Sequence, residues 1–232
     1  MPKILAIETA TRICSAAIVE NGASLAEFTV SRKNIHVERL TPMILSLLDN
    51  SHLSFSDIDA VAVSIGPGSF TGLRIGLSTA KGIAYALDKK IVTVPTLDSI
   101  AYRLRSFANR KRIFVLLHAR ANEFYLGMYE VKEEKLTKLD ESKVVSSSEI
   151  LSMLKGDEVL TGEGSELLAE TGVSLRLAPK DLRSTSALSI GIIGEEKFLQ
   201  GNFADTDSVV PMYLKDFIAV KGDPLTKIRE KI

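Results

Sequence analysis

Residues 61–87, VAVSIGPGSFTGLRIGLSTAKGIAYAL, limit what this chain can fold into more than any other stretch. Residues 61–65 are an apolar run with the length and β-branched content of a buried strand. Gly66, Pro67 and Gly68 stop it, and the hydroxyls of Ser69 and Thr71 can cap a helix that starts there. From residue 72 to 87 the period becomes helical, with Leu73, Leu77, Ala80, Ala84 and Leu87 on one face. Gly72, Gly76, Thr79 and Ile83 form a small-residue ridge beside it, and Arg74, Ser78, Lys81 and Tyr85 a polar strip opposite. That apolar arc is too wide for a helix that buries one side. Each interior glycine also costs about 1 kcal/mol against alanine. The helix therefore calls for a second neighbour at close backbone approach, either the chain's own core or another protein.

Before this stretch, residues 3–7 read as a strand and residues 8–11 as its turn. Strands at 15–19 and 24–30 flank Asn21-Gly22, a type I′ hairpin signal. Residues 37–50 form a helix with Val37, Leu40, Ile44, Leu47 and Leu48 on its core face and Pro42 inside it. Met43 and Leu45 lie off that face, with exposure expected. A strand at 91–94 and a helix from 97 to 108 complete the first half. Residues 103–112 then hold five basic side chains and no acid, which fits either a nucleic-acid contact or a solvated helix end.

In the second half, strands at 113–117 and 123–131 join through His118-Ala119-Arg120-Ala121-Asn122, and residues 132–139 continue as a hairpin arm. His118 reads as a ligand or as a structural strand-end residue. Helices at 148–154, 166–170 and 187–200 alternate with strands at 158–160 and 173–177. Alternating strands and helices give an α/β class.

The chain has 232 residues, 45% of them hydrophobic, enough for one large domain or two small ones. Lys and Arg number 29, as do Asp and Glu, and a net charge of zero argues against autonomous nucleic-acid binding. Cys14 is the one cysteine and forms no internal disulfide. With no signal-peptide pattern and no apolar run near the ~20 residues of a membrane span, a cytoplasmic protein without membrane contact is expected.

The run GPGSFTGLRIG, residues 66–76, with the strand before it, resembles the TsaB family of bacterial proteins. Glu8-Thr9 matches the Glu-Thr that opens TsaB and TsaD sequences. Ala119-Arg120 matches the family's Asp-Ala-Arg, with His118 departing from it, and Pro211-Met-Tyr-Leu-Lys215 resembles its late Pro-x-Tyr-Leu-Arg. The resemblance implies a two-lobed fold like that of actin, Hsp70 and sugar kinases, with a degenerate second lobe. The lobes would span 1–108 and 109–215, with a charged tail at 216–232. It also implies a non-catalytic dimerisation subunit that binds the catalytic TsaD and supports threonylcarbamoyl transfer to adenosine 37 of tRNA. The ATPase subunit TsaE would be a further partner and tRNA an indirect one, and a homodimer would use the same helices.

On that reading the helices at 37–50 and 72–87 carry the partner interface, through Met43, Leu45, Leu47, Gly72, Arg74, Ile75, Gly76, Thr79 and Ile83. Glu8, Thr9, Gly68, Ser69, Thr71 and Arg74 are candidate phosphate contacts, because a helix N-terminus attracts anions. The residues themselves favour reading Glu8 as a hydrogen-bonded strand-end carboxylate. No Walker-type phosphate loop and no His-Glu-x-x-His occur, and His36, His52 and His118 lack ligand spacing. Where TsaD carries a His-x-x-x-His metal pair, this chain has Thr96 and Ile100, so no metal or cofactor is expected. The alternative is a stand-alone ATP-dependent kinase or hydrolase of the same superfamily.

Overall fold

The computed structural model describes residues 1–108 and 111–214. Among these residues, ten strands form two five-stranded sheets. The first sheet holds β1 (Ile4–Glu8), β2 (Ile13–Glu20), β3 (Ala23–Ser31), β4 (Ala60–Ser64) and β5 (Lys90–Val94), in the order β3-β2-β1-β4-β5. β1, β4 and β5 run parallel, so they need crossover connections, and α1 (His36–Asn50) and α2 (Phe70–Leu87) supply helical ones. β2 and β3 pair antiparallel across Asn21 and Gly22, whose φ values of 58° and 66° suit a type I′ turn.

α1 and α2 cover one face of this sheet, where Leu40, Ile44, Leu47 and Leu77 pack on Leu5, Ile7, Val61 and Val63. The other face is covered by α6 (Ala187–Leu199), whose Ala187 and Ile190 pack on Ile4, Ala6, Ala17 and Ala62. With both faces covered, β1 and β4 are buried at every position.

The second sheet joins β6 (Arg112–Arg120), β7 (Glu123–Lys132), β8 (Lys135–Lys138), β9 (Lys143–Ser146) and β10 (Val159–Thr161). α4 (Ser147–Met153) and α5 (Glu163–Ala169) pack on one face, and α3 (Thr96–Tyr102) on the other. Helices are thus exchanged between the halves of the sequence. α3, from the first half, packs on the second sheet, and α6, from the second half, packs on the first. A division at 108/109 separates strands but not the helices that cover them. This is the two-lobed α/β architecture that the resemblance implies.

α6 is tied down at both ends. At its N-terminus Glu27 Oε1, on β3, accepts from Ser186 Oγ at 2.7 Å and from Leu188 N at 3.2 Å. Near its C-terminus the Glu195 carboxylate accepts the Asn21 and Gly22 amides at 2.7 and 2.6 Å.

Several expectations need correction. Val37 is 74% exposed while Met43 is buried. His36 takes the inward position, because its Nε2 donates to Ile13 O at 3.1 Å and so satisfies a polar ring inside. The expected strand at 173–177 reduces to one bridge, Leu160 with Leu177. β9 has no counterpart among the expected elements, and α3 is shorter than the expected 97–108. The tail at 216–232, Lys215, Asn109 and Arg110 lie outside the described residues.

Candidate functional site

Two surfaces are built from the sequence-predicted residues: a cleft between the sheets, and the outer face of the α1–α2 layer. The turn after β1 and the start of α2 form the cleft's floor. Ser69 N donates to Ala10 O at 2.6 Å, and Ser69 Oγ caps α2 by accepting Gly72 N at 3.2 Å. Thr9 Oγ1 donates to Gly72 O at 2.8 Å. A Cβ at Gly72 would strike Thr9 O, and one at Gly76 would strike Thr9 Oγ1.

The neighbour that the wide apolar arc of α2 calls for is therefore internal. Its small ridge meets the chain's own β1 turn at Gly72 and Gly76. These two residues, with Met43 and Leu47, are buried within the chain and not available as direct partner contacts. What remains accessible of the proposed interface is Leu45, which is 53% exposed, together with Arg74 and the half-buried Ile75, Thr79 and Ile83. Val37 is exposed too, at the cleft.

The cleft encloses about 390 Å³, and its lining includes Thr11, Arg12, Lys33, His118 and Glu163 as well as Gly68, Ser69 and Thr71. Of the six candidate phosphate contacts, only those last three reach it. Glu8 and Thr9 are fully buried beneath the floor, and Arg74 is not among the lining residues. Arg12 and Lys33 are charged groups at the cleft that sequence reasoning missed, because nothing in their local sequence distinguishes them from solvated side chains. Burial raises the Glu163 carboxyl above its usual range, opposed by the nearby Arg12 and His118 charges. His118 Nε2 donates to Ala121 O at 3.0 Å and its ring lies edge-on to Phe124, so the turn after β6 holds it.

Glu8 ends β1. Its Oε1 accepts Ala10 N at 2.5 Å, while Oε2 is buried without a hydrogen-bond partner among the described residues. Burial pushes the carboxyl up to about 7, against the pull of the Ala10 amide and the Ser64 hydroxyl. A carboxyl that burial holds toward its protonated form, sealed from the cleft, is poorly placed to hold a metal–phosphate complex. The Cys14 thiol is pushed up to about 11, first by burial and then by the Glu8 charge, which makes it inert at neutral pH. Thr96 and Ile100 are both fully buried. The described residues contain no group of three or more His, Cys, Asp or Glu side chains placed to hold a metal ion, and no helix long and apolar enough to cross a membrane.

Residues 25–217 match the family model described as TsaD: tRNA N6-adenosine threonylcarbamoyltransferase. The tRNA threonylcarbamoyladenosine biosynthesis protein TsaB of Escherichia coli is 31% identical over 96% of this chain and 98% of its own. The chain belongs to the TsaB family. The TsaB of Bacillus subtilis is 29% identical over 91% of this chain and 93% of its own. The solved structure of YeaZ from Pseudomonas aeruginosa superposes with a TM-score of 0.81 at 25% identity, covering 92% of this chain and all of that one. The TsaB likeness therefore extends over both sheets and is not confined to the GPGSFTGLRIG run.

Proposed function

We propose that this chain is a non-catalytic subunit that docks on TsaD through the outer face of α1 and α2. In that complex it supports threonylcarbamoyl transfer to adenosine 37 of tRNA. The TsaB relatives, named as tRNA threonylcarbamoyladenosine biosynthesis proteins, support the pathway. The observation that carries the docking role is the exposed Leu45 with the half-buried Ile83, flanked at the cleft by Val37 and Ile75, on two helices whose opposite sides are packed into the core. Such a face suits a helical partner surface. The non-catalytic role is supported by the sealed Glu8 carboxylate and by core residues at positions 96 and 100, where TsaD has its metal pair. TsaE and tRNA are taken to engage the assembled complex, with TsaD supplying the chemistry.

The test is reconstitution: TsaD with tRNA and its threonylcarbamoyl donor, with and without this chain, together with ATP hydrolysis by the chain alone. Modified tRNA should form only when the chain is added, and the chain alone should not exceed the buffer control. Steady ATP turnover by the isolated chain would overturn the proposal.

A further inference from the structure

The late run Pro211-Met212-Tyr213-Leu214 lies against α2. Residues 204–214 leave the sheet edge where Ala204 bridges Ile91 on β5, then pass along the side of α2 that carries Lys81 and Arg74. Lys81 Nζ donates to Asp207 O at 3.1 Å, Val209 packs against the core beneath α1 and α2, and Met212 N donates to Ile65 O at 2.7 Å. A strap from the C-terminal end of the described chain therefore covers part of the helix's polar strip.

At the strap's end, Arg74 Nε donates to Tyr213 Oη at 3.2 Å. The guanidinium carbon stands 3.9 Å over the Phe70 ring centroid, and the Tyr213 ring centroid is 5.3 Å from that of Phe70. Arg74 is exposed and forms no ion pair among the described residues. A guanidinium offers five N–H donors in a planar fork. The phenol takes the Nε donor and the ring takes one face, which leaves the terminal amino groups for an outside acceptor.

We infer that Tyr213 is a positioning residue. With Phe70 it holds the Arg74 guanidinium ready to grip an oxyanion at the docking face, either a carboxylate of the partner protein or a phosphate of a nucleotide held in the joint. An arginine already stacked and bonded loses less rotamer freedom on binding than a free one, and its fork matches a carboxylate or phosphate bidentately. The inference rests on the proposed docking on TsaD.

The test is a double-mutant cycle by calorimetry on the full chain with TsaD, run with and without ADP. Tyr213→Phe should weaken association about three- to tenfold, the range of one typical hydrogen bond. In an Arg74→Ala background the same change should have no effect. A partner carboxylate predicts this coupling without ADP, whereas a nucleotide phosphate predicts it only with ADP. An equal loss in both backgrounds, or no loss in either, overturns the inference. If the wild-type chain fails to bind TsaD, the docking reading falls, and ¹⁵N relaxation of the Arg74 Nε–H in the isolated chain decides the rest. Faster motion in Tyr213→Phe than in wild type supports positioning, and identical motion refutes it.

Discussion

Glu8 holds its carboxyl where water does not reach, and the cost can be measured as a pH dependence. Its pKa rises from 4.5 to about 7 on folding, so the native state keeps the proton across that window while the unfolded chain releases it. Stability from this group is therefore whole below about pH 4.5 and is lost as pH rises through 7, by roughly 3 kcal/mol at 1.36 kcal/mol per unit. Glu8→Gln keeps an oxygen for the Ala10 amide and removes the titration. Urea unfolding at pH 5 and pH 8 should show the variant losing less stability between the two than wild type, by about 1–3 kcal/mol. Parallel pH profiles for the two proteins would show that the carboxyl is not buried as described. The sequence marks Glu8 as a strand-end carboxylate. Its seclusion was not legible, because the groups around it, such as Ser64, lie far along the chain.

At the scale of elements, most strands and helices were legible where apolar spacing is regular, as in α2, β1 and β4. The misreadings occur where a polar residue competes for an inward position. In α1, apolarity favours Val37, yet His36 turns inward because Ile13 O accepts its N–H. The glycine ridge of α2 was legible as a demand for close approach, but not as to which neighbour meets it. Since Gly76 faces Thr9, Gly76→Leu should destabilise the isolated chain by about 1–3 kcal/mol. Its melting temperature should drop roughly 2–4 °C for each kcal/mol. An unchanged melt would place the ridge outside the core. The α6 cap gives a second check. Glu27→Ala removes the carboxylate that receives Ser186 Oγ and Leu188 N, and it should cost about 1–2 kcal/mol in urea titrations. No loss would mean that the helix start is held by Ser186 alone.

Across the whole molecule, the exchange of α3 and α6 between the two halves ties the sheets to each other's covering helices, and the order of elements along the chain carries no sign of it. It leaves α1 and α2 as the layer whose outer side is free of both sheets, which is why the proposed docking face falls there. The exposure of Leu45 was legible, since it stands out as an apolar residue off the core period. The strap of residues 204–214 was not, because its packing on α2 joins segments more than a hundred residues apart. The central claim is that TsaD binds this outer face. Leu45→Glu places a charge on the face without entering the core, so the melting curve of the isolated chain should stay within about 0.5 kcal/mol of wild type. The decisive measurement is the Kd for TsaD of wild type and Leu45→Glu by titration calorimetry. A loss of at least about tenfold is predicted, the scale of a charge buried at an interface without a partner. A folded Leu45→Glu chain that binds TsaD with unchanged affinity would contradict the account and place the interface elsewhere.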